Sequence, residues 1–153
     1  MTARIRQSEA EILRDAEAFC QKAGLRMTEG RRAVLELLAP SPVALKAYDL
    51  LDQVKAPGEN AMPPTVYRAL DFWIEHGFIH RIESLNAYFA CGHPLHNHGC
   101  QLLVCLRCNE VLEVCNHGLQ ELLTTTAAEN GYGYRKAVLE IHGICPTCQA
   151  LPA

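Results

Sequence analysis

Val104-Cys105-Leu106-Arg107-Cys108-Asn109 and Ile144-Cys145-Pro146-Thr147-Cys148, with 36 residues between the two Cys-x-x-Cys clips, decide how this chain is read. Two thiols separated by two residues can bite one metal ion from a tight knuckle, and a second knuckle completes a tetrahedral shell. Asn109, directly after the first clip, suits the left-handed turn that such a knuckle often needs. A single clip would leave a redox dithiol or disulfides open, whereas the pair points to a structural zinc held by Cys105, Cys108, Cys145 and Cys148. Bound zinc contributes on the order of 10–16 kcal/mol to folding in small zinc peptides. The C-terminal third is therefore expected to be unfolded without its metal.

Outward from the clips, 153 residues suffice for one domain or two small ones. No apolar run approaches the roughly 18 residues of a membrane span. Met1-Thr2-Ala3-Arg4-Ile5-Arg6 leads into a charged amphipathic stretch with no apolar signal core, so a cytoplasmic protein is expected. In a reducing compartment the eight cysteines read as thiols and metal ligands. The net charge of −3 argues against a general polyanion binder. Split near Glu83, the first part carries 11 Lys/Arg against 12 Asp/Glu and the remainder 3 against 5. Any nucleic-acid contact must come from a local patch, such as Arg26, Arg31 and Arg32, plus specific side chains.

The pattern upstream of the clips is helical. Ile12, Ala16, Phe19 and Ala23 recur at helical spacing from Ser8 to Ala23, and Gly24 stops that helix. Thr28 offers an N-cap for a second, with Val34, Leu37 and Leu38 inward, ended by Pro40 and Pro42. A third fits Leu45–Val54, followed by a loop over Lys55–Ala61. Pro63 and Pro64 open a fourth, with Val66, Leu70, Trp73 and Ile74 as its stripe and Gly77 as its end. Two extended pieces, Phe78–Ile82 and Ala87–Ala90, turn through Ser84 and Asn86. Short helices followed by a small hairpin describe a winged helix-turn-helix whose last helix is the recognition element.

Beyond a histidine-rich connector, His93–His98, come strands Gln101–Val104 and Val111–Val114, a helix Leu119–Glu129 capped by Asn130-Gly131, and an alternating strand Tyr134–His142. The fold class is α+β: an N-terminal winged helix-turn-helix, then a small α/β dimerisation domain with a four-cysteine zinc site. The boundaries are 1–84 for the DNA-binding domain, 85–100 for the hinge and metal-binding connector, and 101–153 for the dimerisation and zinc-binding domain. About 60 residues are marginal for an independent domain, so the second unit calls for zinc and for pairing of its sheet with a second copy.

Pro63-Pro64-Thr65-Val66-Tyr67-Arg68-Ala69-Leu70, with the His/Cys-rich connector and the paired clips, resembles the ferric uptake regulator superfamily. Pro63–Phe72, Gly77-Phe78-Ile79-His80 and His142-Gly143-Ile144-Cys145 look like its zinc uptake regulator branch, and the similarity covers roughly Ile12 to Cys148. The resemblance implies a dimeric, metal-responsive repressor that binds a palindromic operator in double-stranded DNA when its sensing site holds zinc, and so controls zinc uptake genes. Sibling regulators that sense iron, manganese or peroxide are the alternative.

On helical geometry the stripe Val66/Leu70/Trp73 turns Tyr67 and Arg68 outward near the helix N-terminus. There Arg can pair with guanine, while Tyr can pack on a thymine methyl or bond a phosphate. The resemblance assigns base reading to the same two residues and adds Thr65 and Tyr48 as backbone contacts. From the remaining ligand-type residues it selects His80, Cys91, His98 and Glu113 as the sensing set, a mixed shell that zinc accepts. Two zinc ions per chain are expected, with His93 and His96 as candidates for an additional one. His96-Asn97-His98 departs from the His-His-Asp-His of the iron-sensing branch.

Cys20 reads as packing and His142 as support for the cage, while Cys100, Cys115 and His117 receive no role. Asp52 and Lys55 lie where related repressors join neighbouring dimers on one operator, through an exposed pair worth about 0–1 kcal/mol. No membrane and no small organic substrate is expected. An enzyme is disfavoured too: there is no His-x-Glu ahead of a Pro-Cys-x-x-Cys, and four thiolates leave no open position for water.

Overall fold

Residues 7–54, 63–95 and 99–152 are described by a computed structural model. They belong to two compact units, Arg6–Leu95 and a second built chiefly of His96–Ala153. In the first unit α1 spans Glu9–Ala23. Its start is fixed reciprocally, because the Ser8 hydroxyl accepts the Glu11 N–H and the Glu11 carboxylate accepts the Ser8 N–H at 2.7 Å. Helix α2, Glu29–Leu38, is capped by Thr28 as expected. It buries Val34, Leu35 and Leu38, while Leu37 is only partly covered.

The third helix, α3, covers Ala47–Val54 rather than starting at Leu45. Leu45 is extended and exchanges both backbone hydrogen bonds with Tyr88, each 2.8 Å. Those bonds outcompete another half-turn of helix.

Helix α4, Pro63–Glu75, buries Val66, Ala69, Leu70, Phe72 and Trp73. The Trp73 Nε1–H donates to the Arg31 carbonyl at 2.9 Å, tying α4 to α2. Strands β1, Ile79–Ile82, and β2, Ala87–Ala90, pair antiparallel with His80 opposite Phe89. Their turn is a short 3-10 segment ending at Asn86, which takes a left-handed φ of 46°. Three helices, a fourth packed on them and a two-stranded wing make the winged helix-turn-helix.

The second unit has a three-stranded sheet in the order β4-β3-β5. Here β3 is Cys100–Cys105, β4 is Val111–Cys115 and β5 is Leu139–Gly143. Helix α5, His117–Glu129, starts at an Asn116 cap and links β4 to β5. Because β5 pairs parallel to β3 from Gln101↔Leu139 onward, the strand starts at Leu139 rather than Tyr134. The register runs out near the start of β3, so Tyr134–Val138 find no further ladder there. A four-residue helix, α6 (Pro146–Gln149), was not anticipated and carries the second clip. Among the described residues of this unit, the buried apolar side chains are Leu102, Val104, Cys105, Val111 and Cys148, and α5 contributes none.

Candidate metal centres and nucleic-acid interface

Cys105 closes β3, Cys108 lies in the following turn, Cys145 is the N-cap of α6 and Cys148 sits within it. Asn109 has a φ of 61°, the left-handed geometry expected after the first clip. The four sulfurs lie within 4.8 Å of one another, and Cys108 Sγ is 3.7 Å from Cys145 Sγ. A tetrahedron with Zn–S bonds of about 2.3 Å has an edge of about 3.8 Å, so this spacing matches a zinc shell.

Backbone amides are aimed at the sulfurs. Cys105 Sγ accepts from Cys145 N at 3.3 Å and Arg107 N at 3.4 Å, and Cys145 Sγ accepts from Cys148 N at 3.4 Å. The Cys145 and Cys108 N–H groups hold the Cys105 thiol down at about 6. The Cys145 side chain and burial push Cys148 up to about 12. Four clustered thiols resist ionising together, and a divalent cation removes that conflict. The donor set fits zinc.

Sequence reading missed one supporting residue. The Arg107 guanidinium donates to the Cys148 carbonyl at 2.7 Å and the Pro152 carbonyl at 3.3 Å, clasping the two knuckles. His142, expected to support the cage, pairs with Glu140 at 3.0 Å. The two share one face of β5, two residues apart, with His142 in register with Val104.

The other ligand-type residues are divided between the units. In the first, His80 lies on β1, and the Cys91 N–H bonds the Phe78 carbonyl at 2.9 Å, extending the hairpin register. His80 and Cys91 therefore share one face of the hairpin. The His93 N–H donates to Cys91 Sγ at 3.4 Å, the same two-residue turn onto sulfur that Arg107 makes onto Cys105. His93 itself is buried.

In the second unit Glu113 is opposite Leu102 and Cys100 is opposite Cys115, so Cys100, Glu113 and Cys115 share a sheet face. Each unit thus carries ligand-type side chains on one face, His80 and Cys91 in the first and Cys100, Glu113 and Cys115 in the second. Cys100 had no role on sequence grounds. Starting β3 one residue earlier would have put it on the Glu113 face. His96 and His98 lie outside the described residues.

On α4, Thr65, Tyr67 and Arg68 are exposed while Val66 and Leu70 are buried behind them. Tyr48 on α3 is 73% exposed. A Cβ on Gly30 would come within 2.9 Å of Thr65 Cγ2, so α2 and α4 approach closely where these residues are presented. Two of the three side chains in the Arg26/Arg31/Arg32 cluster are engaged within the unit. Arg31 lies over the Phe72 ring at 3.6 Å and bonds the Arg26 carbonyl, while Arg32 pairs with Glu17. Such contacts hold helices together.

Cys20 is in the core, as read. His117, the first residue of α5, is exposed, Asp52 lies on α3, and Lys55 is outside the described residues. Among the described residues no helix is long and apolar enough to cross a membrane.

The ferric uptake regulator family model matches residues 22–142. The zinc uptake regulation protein of Escherichia coli K12 is 40% identical over 146 residues, covering 94% of this chain and 84% of that protein. Among solved structures, a zinc uptake regulator complexed with zinc and DNA matches with a TM-score of 0.85 at 39% identity, covering 94% of this chain and 97% of that one. Holo XcZur matches with a TM-score of 0.82 at 40% identity, covering 92% and 99%.

Proposed function

Because the chain belongs to the ferric uptake regulator family, we propose that it is a zinc-responsive transcriptional repressor. It binds operator DNA as a homodimer when its sensing site holds zinc, and it controls zinc uptake genes. The observation that carries this reading is the whole-length likeness to a regulator complexed with zinc and DNA.

Cys105, Cys108, Cys145 and Cys148 hold the structural ion. His80, Cys91, His98 and Glu113 hold the sensing ion, with Cys100 as a further thiolate on the Glu113 face. Zinc supplies a charge that imidazole, thiolate and carboxylate can share, and thiolate disfavours hard ions such as Mg or Mn. His80 and Cys91 belong to the wing side and Glu113 to the second unit. A set completed from both constrains one against the other. Half-sites in symmetric operators lie roughly one helical turn apart, so a constraint on head spacing changes affinity.

Arg68 and Tyr67 read bases from the first turns of α4, and Thr65 and Tyr48 contact the backbone. Dimerisation is supported by the exposure of Leu112, Leu122 and Ile141 at 57, 60 and 48% on a unit with so small an apolar interior. A groove of about 220 Å³ lined in part by Leu103, Leu112, Ile141 and Ile144 accompanies them. A second copy gives these residues the cover they lack.

The chain is not an enzyme on this reading, since four thiolates saturate the cage, and it acts in the cytoplasm where its DNA is. A DNA-binding titration across buffered free zinc, iron and manganese, with bound metal counted per chain, tests the proposal. Repression-grade affinity gained only with iron or manganese would replace zinc by a sibling metal.

A further inference from the structure

The segment Cys91–Pro94 is approached from three directions within its own unit, two of them by hydrogen bonds. The Cys91 N–H bonds the Phe78 carbonyl at 2.9 Å, and the Gly92 carbonyl accepts the Gln7 N–H at 3.1 Å. The Pro94 carbonyl passes close to Gly77, where a Cβ would lie 3.6 Å from it. The first and third contacts come from the helix-to-hairpin turn beside it. The second comes from the opposite end of the unit's sequence.

Gln7 is well suited to hold its position. It precedes the Ser8 N-cap, whose reciprocal bonds with Glu11 fix the direction in which the chain enters α1. Its side-chain Nε2 donates to Asp15 Oδ2 at 2.9 Å, two turns along the same helix. With the amide so oriented, Gln7 Oε1 is buried and has no hydrogen-bond partner among the described residues. An unpaired buried acceptor costs stability.

Gly92 is the middle residue of the turn by which the His93 N–H reaches Cys91 Sγ. Fixing its carbonyl fixes the peptide plane from which that N–H follows, and with it the direction of the sulfur. We infer that Gln7 is a positioning residue for the sensing ligand Cys91, acting through the Gly92 carbonyl. The inference rests on the proposed sensing set, in which Cys91 is a ligand. Partners that orient metal ligands from behind change metal affinity by about 10–100-fold when removed.

The experiment is zinc binding to the full-length protein in a chelator-buffered series, with metal counted per chain, for the parent, Gln7→Pro, Gln7→Ala and Cys91→Ser. Gln7→Pro deletes the donor to Gly92, and Gln7→Ala deletes the anchor to Asp15 while leaving that donor. The expected result is an affinity for the second ion about tenfold weaker in Gln7→Pro, a smaller loss in Gln7→Ala, and no change for the first ion. Cobalt substitution supplies a signature that a general loss of stability would not move. The thiolate-to-cobalt band of the second ion should weaken in the Gln7 variants, and that of the cage should stay. Parental affinity in both Gln7 variants, with the second ion lost in Cys91→Ser, overturns the role of Gln7 alone. Parental affinity in Cys91→Ser overturns the sensing set and this inference with it. Should Gln7→Pro lose its helical circular dichroism, a backbone ester at position 7, which removes the N–H and keeps the side chain, takes its place: a second-ion affinity about tenfold weaker supports the inference and parental affinity overturns it.

Discussion

Replacing Cys108 by serine removes one of four sulfurs from a cage whose Cys108–Cys145 edge is already 3.7 Å. The consequence follows from how little else holds the second unit. Its buried apolar side chains other than cage cysteines are Leu102, Val104 and Val111 among the described residues. At about 1.5–3 kcal/mol each, they contribute roughly 5–9 kcal/mol. A cage of this type contributes on the order of 10–16 kcal/mol, more than that apolar interior. The first unit is built differently, with Ile12, Val34, Leu35, Leu38, Leu50, Val66, Leu70, Trp73 and Phe78 all at 0% exposure. Cys108→Ser, or chelation of the parent, should therefore unfold residues 99–152 and spare 7–54 and 63–95. Amide hydrogen exchange read by peptide reports both at once. Since 1.4 kcal/mol is a factor of ten, a loss of about 10 kcal/mol removes some seven orders of magnitude of protection, which is all of it in β3 and β5. Parental protection of those strands in the metal-free variant would refute the reasoning.

Arg68→Ala should weaken binding to operator by about 1–3 kcal/mol more than binding to scrambled DNA in a fluorescence titration, because an exposed α4 arginine is asked to read bases. Equal losses would reduce it to a phosphate contact. Trp73→Phe leaves the Arg31 carbonyl without its 2.9 Å indole partner. It should cost the first unit about 1–3 kcal/mol in urea unfolding, beyond what the smaller ring loses in packing. Glu11 is held below its usual 4.5 by the Ser8 N–H and hydroxyl. Its contribution to α1 is thus full above that value and is lost as acidification passes through the lowered one. Carboxyl titration by NMR should find it depressed in the parent, and Ser8→Ala should return it toward 4.5.

What the sequence made legible is what short-range chemistry determines. Thr28, Gly24 and Asn109 each declare a cap or a left-handed turn to neighbours close by in the chain, and all three act so in the fold. The cage was legible for the same reason, since each clip is a local spacing. Features that depend on pairing far along the chain were not. Leu45 leaves α3 for the distant Tyr88, and β5 starts only where β3 can receive it. Arg31 looked like part of a basic patch because nothing nearby in sequence announces that Phe72 will lie beneath it. Gln7 and Arg107 were invisible because their partners are backbone carbonyls, Gly92 for one and Cys148 and Pro152 for the other. The ligand-type residues outside the four-cysteine cluster stand between these cases. His80, Cys91 and Glu113 came from a family resemblance, while Cys100 emerged only from the register that sets it on the Glu113 face.

The most direct measurement is operator affinity for the parent and for Cys91→Ser as free zinc is raised, with the cage kept loaded. On the proposed sensing set the parent gains affinity steeply as its second ion binds, whereas Cys91→Ser stays at the weak level with one ion per chain. An operator affinity that is independent of the second ion in the parent, or a Cys91→Ser variant that responds like the parent, would contradict the account.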